Sequence, residues 1–189
     1  MPVTINGTSG LVTATTFSGS SLSGIDTGKI LQVVSTTKTD TASFSVASGG
    51  TYSYTDTSFR VTITPSSASN KILIQVMAHI SVDSEQWIHV TLQKDGSTIS
   101  GAIGDAAGSR NRVTHFQGYP PGTFNKTVPV PITFQDTAGS TSSRYYNLAL
   151  AHTSGLARTM YFNRSGQGDT DSFQYARTIS TITAMELAA

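Results

Sequence analysis

Hydrophobic and polar positions along most of this chain alternate with a period of two, and no stretch carries the 3.6-residue stripe of an amphipathic helix. Phe59-Arg60-Val61-Thr62-Ile63-Thr64 alternates cleanly, so one face of that segment must be buried while the other meets water. In residues 86–94, Trp87, His89, Thr91 and Gln93 fall on one face and Ile88, Val90 and Leu92 on the other. Asp95-Gly96 then gives a strong hairpin signal, because both residues tolerate the positive φ that a tight two-residue turn demands. Residues 72–80 are apolar on both parities apart from Gln75 and His79, which predicts a central strand covered on both faces. A turn at 83–85 is expected to fold 86–94 back beside it. Further strands are predicted at 30–35, 43–47, 99–103, 129–135, 144–152, 158–163 and 177–189. Between them lie loops at Pro65-Ser66-Ser67, at 104–112, at 118–126 with its Pro120-Pro121-Gly122, and at 166–171. About ten short strands with no intervening helix predict one all-β domain over residues 29–189, an antiparallel β-sandwich of jelly-roll type.

Residues 1–28 read differently. They hold glycines, many hydroxyls and widely spaced apolar residues, among them Val3, Ile5, Leu11, Val12 and Phe17. Such a segment cannot bury enough apolar surface by itself to offset the entropy of ordering it, yet it suits an extended arm laid along a neighbour's groove or sheet edge. Those five apolar residues are the expected anchoring positions.

Composition narrows the function classes. Ser and Thr make up roughly 29% of the chain against 12% charged residues, so hydroxyls rather than charges wet the surface. The formal net charge is +1 with Lys and Arg scattered, which lacks the clustered cations a phosphate backbone requires; no nucleic-acid partner is expected. There is no cysteine, so neither a disulfide nor a thiolate metal site staples the fold, and packing, sheet hydrogen bonds or oligomerisation must do so. The first residues lack a cationic start followed by an apolar run, and no segment nears the roughly 18 apolar residues of a bilayer span. The chain is therefore expected to be soluble, unexported and without a membrane partner, and the glycosylation-type triplets at Asn6, Asn125 and Asn163 to be chance matches.

Candidate chemistry is sparse. If the 83–85 turn closes a hairpin, His79 and His89 share one face, but ordinary sheet histidines account for them as well as for His115 and His152, and no metal is expected. Asp83 and Glu85 lie in a solvated turn with no partner acid at glycosidase separation. Asp169 and Asp171 fall short of the six or more oxygens that Ca²⁺ prefers. No nucleophile elbow, phosphate-cradling loop or dinucleotide fingerprint occurs, so neither an enzyme nor a cofactor is expected. Among the aromatics (Trp87, Phe116, Tyr145, Tyr146, Tyr161, Phe162 and Tyr175 with them), most should be core or subunit contacts; Tyr119, beside Pro120-Pro121, and Phe124 are the candidates for glycan contact.

The segments Gly28-Lys29-Ile30-Leu31-Gln32-Val33-Val34-Ser35 with Lys38-Thr39-Asp40-Thr41, and Val61-Thr62-Ile63-Thr64-Pro65-Ser66-Ser67-Ala68-Ser69-Asn70-Lys71-Ile72-Leu73-Ile74, together with Tyr161-Phe162-Asn163-Arg164 and Ser180-Thr181-Ile182-Thr183-Ala184-Met185-Glu186-Leu187, resemble a recurrent virion domain of tailed bacteriophages, widespread in cyanophages and other aquatic phages. The likeness spans residues 28–189 and weakens across the 101–126 loops. It implies a phage structural protein, commonly a homotrimer, and carries no catalytic residue with it. An arm of 28 residues reaches less than about 100 Å even when extended, and no heptad or repeat offers a shaft, which suits clamping a shell better than projecting a probe. The expectation is a capsid decoration or cement protein on the outer surface of the phage head, partnered by the major capsid protein through its arm. The alternative is a short tail fibre or receptor-binding tip that grips host surface glycan.

Overall fold

The computed structural model describes residues 29–48, 58–84, 86–118, 126–166 and 175–189. They form an all-β sandwich of two antiparallel sheets. Sheet A is built on β4 (Lys71–Val82), whose residues 71–80 pair along one edge with β8 (Val128–Thr137). Along the other edge, residues 71–77 pair with β11 (Ser180–Leu187) and residues 80–82 with β10 (Arg158–Phe162). β1 (Ile30–Lys38) lies outside β11, and β2 (Ala42–Val46) outside β10. Sheet B runs β3 (Arg60–Ile63), β9 (Arg144–His152), β5 (Ile88–Lys94), with β6 (Ser97–Thr98) and β7 (His115–Gln117) both against β5.

The period-two pattern sets the core. Ile72, Ile74, Val76, Ala78 and Ile80 of β4 face inward with Val61, Ile63, Ile88, Val90, Leu92, Leu148, Leu150 and Ile182, all buried. Each such side chain contributes about 1.5–3 kcal/mol on leaving water. At one end Phe59 and Phe162 pack with ring centroids 5.1 Å apart, and Phe44 lies 6.1 Å from Phe162. Asp95 and Gly96 both adopt positive φ, 52° and 78°, and close the β5–β6 hairpin as the sequence predicts.

Side chains bridge the sheets where backbones do not. On one side of the sandwich, Gln32 Nε2 donates to the Thr64 carbonyl at 2.7 Å and Thr36 Oγ1 to the Arg60 carbonyl at 2.8 Å, tying β1 to the β3 segment. Elsewhere, the Tyr146 hydroxyl on β9 and Lys94 Nζ on β5 both donate to Asp136 Oδ2 on β8, at 2.9 and 2.6 Å. Burial, and the negative Asp136 that accepts its proton, push the Tyr146 phenol well above its ordinary range, so it stays a donor.

Three expectations are corrected. Residues 72–80 are not covered on both faces: Gln75 and Met77 are exposed, and β4 is central only in having hydrogen-bonded neighbours on both edges. The 83–85 turn closes no hairpin, because both edges of β4 are already taken and the chain crosses to the other sheet before β5 begins. Residues 99–103 form a 3₁₀ turn, Ser100–Ala102, in place of a strand; only Ser97–Thr98 pairs, and β7 was not foreseen because three residues carry too little alternation to read.

Candidate functional site

Four segments distant in the chain, around residues 32, 66–70, 163 and 180–187, converge in space. Glu186 on β11 is fully buried and makes no ion pair among the described residues. Its carboxylate accepts from Gln32 Nε2 at 2.6 Å, Asn70 Nδ2 at 2.6 Å, and the Ser66 backbone N–H and hydroxyl at 2.7 and 2.8 Å. Burial alone would raise its pKa; the donors on Asn70, Gln32 and Ser66 outweigh that and hold it at about 2. A second knot lies at Asn163, buried and with φ of 59°. It donates to the carbonyls of Lys38 and Asp40 at 2.8 and 2.9 Å and accepts from Ser180 Oγ at 2.6 Å. These residues tie strands together, which is scaffold work.

The outer face of sheet A is a broad, open surface. Its rows run Ile30, Leu187, Lys71, Thr137; then Val33, Met185, Leu73, Gln135; then Ser35, Thr183, Gln75, Thr133; then Thr37, Thr181, Met77, Pro131. Ile179 and His79 continue it, with His79 Nδ1 2.7 Å from the Ile179 carbonyl. Ile30, Val33, Met77 and Ile179 are 45–56% exposed, and Lys71 is the one formally charged side chain in these rows. A shallow depression of ≈ 280 Å³ opens beside Met77, between Pro131, Thr133, Thr181 and Thr183. This face therefore combines exposed apolar side chains with a ladder of hydroxyls and a single formal charge in these rows. Pro129 and Pro131 withdraw two backbone donors from β8, which pairs only with β4 among the described residues, and so blunt that edge.

The outer face of sheet B is closed. Thr91, Asn147, Ala149 and Ala151 point away from the core, yet each is 2% exposed or less. Among the described residues, the Thr91 hydroxyl and the Asn147 carbonyl oxygen are buried there without hydrogen-bond partners. At one corner the face opens onto Trp87 and Phe116, whose ring centroids lie 6.1 Å apart at an interplanar angle of 66°. His89 lies against Phe116 at 5.5 Å, and burial, with His152 nearby, lowers its pKa.

Val3, Ile5, Leu11, Val12, Phe17, Tyr119 and Phe124, the anchoring and glycan positions read from the sequence, lie outside the described residues, as do Glu85, Asp169 and Asp171. His79 and His89 do not share a site, since β4 and β5 belong to different sheets. Asp83 is structural: its Oδ2 accepts from the Thr159 N–H at 2.8 Å. His152 is buried, with Nε2 3.0 Å from the Val46 carbonyl and Nδ1 accepting from the Ser154 N–H. Sequence reasoning missed the sheet A face because the twofold apolar character of residues 72–80 looked like double burial. Compared with protein families and with curated proteins, the chain matches none.

Proposed function

We propose that this protein is a non-catalytic structural component of a tailed-phage virion, a decoration protein that braces the assembled head. The observation that carries the reading is the outer face of sheet A, apolar and hydroxyl-rich with Lys71 as the one formal charge in its rows, whose corner is Ile30, the first residue of β1 and close to the point at which residues 1–28 join the sandwich. Such a face, next to the position in the chain where residues 1–28 end, suits a subunit that seats on a lattice and reaches across it with those residues. In this reading Val3, Ile5, Leu11, Val12 and Phe17 contact the major capsid protein, and the sandwich assembles as a homotrimer. A ligand of the assembled state alone stabilises that state by mass action. The strand order supports jelly-roll connectivity: the first, last, fourth and eighth strands lie side by side in one sheet and the third, ninth, fifth and seventh in the other, as two nested Greek keys produce.

Deleting residues 2–27 tests this. The truncated chain should fold with an unchanged far-ultraviolet spectrum and fail to attach to purified undecorated heads by sedimentation and imaging. Attachment at full occupancy without those residues defeats the anchoring role.

A further inference from the structure

The corner of sheet B has the makings of a ligand site that the assembly reading does not use. Trp87 and Phe116 are 54% and 53% exposed although they are among the most costly side chains to leave in water. They meet edge to face, so the pair offers angled ring surfaces instead of one closed stack. Gly118 adjoins Trp87, where a Cβ would lie in ordinary contact at 3.8 Å from the indole. Asn111, an exposed residue, places Nδ2 3.2 Å from His89 Nδ1, which fixes the imidazole with its proton on Nε2, and among the described residues its carbonyl oxygen has no hydrogen-bond partner. Arg112, the next residue, has its Nε bonded to the Gly104 carbonyl at 2.7 Å.

We propose that Trp87 and Phe116, with the amide of Asn111, form a binding site for neutral pyranose rings of a carbohydrate. The apolar C–H face of a pyranose stacks on an aromatic ring, and its hydroxyls need neutral donors and acceptors at the rim, which the exposed Asn111 amide, held by the buried His89, supplies. Trp87, His89, Asn111, Phe116 and Gly118 include no carboxylate, ammonium or guanidinium, so the corner complements an uncharged sugar and not a sulfated or sialylated one. The proposal does not depend on the assembly reading and fails or stands separately from it.

Trp87 is the only tryptophan in the chain, so intrinsic fluorescence of the full-length protein reports on this corner alone. Titration with soluble neutral oligosaccharides of glucose, galactose and mannose should give a saturable emission shift for at least one, with Kd on the order of 1 mM. Phe116→Ala should weaken that binding about tenfold without changing the melting temperature. Trp87→Ala, assayed by retardation in gels containing the same sugar as polymer, should abolish it. Silence across the panel at several times that concentration overturns the proposal, as does binding that survives both substitutions or a response confined to charged glycans.

Discussion

Both sheets of the sandwich turn alternate side chains away from the core, and the two sets meet opposite fates. On sheet A, Val33 and Met77 are 55% and 45% exposed; on sheet B, Ala149 and Ala151 in equivalent outward positions are 2% and 0% exposed. The composition follows the environment: sheet B places alanine, threonine and asparagine at outward positions closed to solvent, while sheet A carries methionine, valine and a ladder of hydroxyls. Outward-pointing is thus a statement about a strand's own core and says nothing of solvent.

Enlarging a side chain separates the two faces most sharply. Ala149→Leu should destabilise by about 1–3 kcal/mol, because added methylenes have no room on a closed face, whereas Thr183→Leu on the open face should stay within about 0.5 kcal/mol. Chemical denaturation of both variants measures it, and equal costs would mean the faces do not differ as described.

The acid dependence of the Glu186 knot comes next. The pKa of Glu186 in the fold, about 2, lies below its ordinary 4.5, so its stabilisation is complete above pH 4.5 and is lost as pH falls toward 2. Linkage over that interval amounts to about 3 kcal/mol; Gln32 and Ser66, which hold the carboxylate, themselves reach solvent, and screening reduces the expectation to about 2 kcal/mol. Glu186→Gln should cost about as much at neutral pH and flatten the acid limb of a stability profile between pH 5 and 2.

Met77→Lys and Val33→Lys should leave folding stability within about 0.5 kcal/mol and yet lower attachment to heads, since charge on an apolar contact surface is penalised only when that surface is buried. Unaltered attachment by the double variant would remove the sheet A face from the assembly reading. The smallest effect concerns His89. Its lowered pKa means the fold prefers the neutral imidazole, so stability there is present above the unfolded value near 6.5 and weakens as pH falls below it. Trp87 emission should respond in that range, while hydrogen exchange in β11 should not.

Much of this could be read in the chain. The strand at residues 144–152 matches β9 end for end, and Asp95-Gly96 turns as its φ preferences require. Glu186 was visible only as a residue in a recognisable segment; that Gln32, Ser66 and Asn70 converge on it depends on contacts spanning 116 to 154 residues of chain. No local pattern encodes such a meeting. Residues 72–80 show the limit most plainly, since an apolar side chain reads the same whether a second layer covers it or a partner surface is meant to.

The sequence by itself determined that this is an all-β protein with turns at defined places, because period-two alternation and turn stereochemistry act over a few residues and tolerate few alternatives. Which strands share a sheet, which outer face is covered, and where an unpaired carboxylate finds four donors were decided only by the tertiary structure. Strand edges are interchangeable locally, and the competition among them is resolved by packing the whole chain at once.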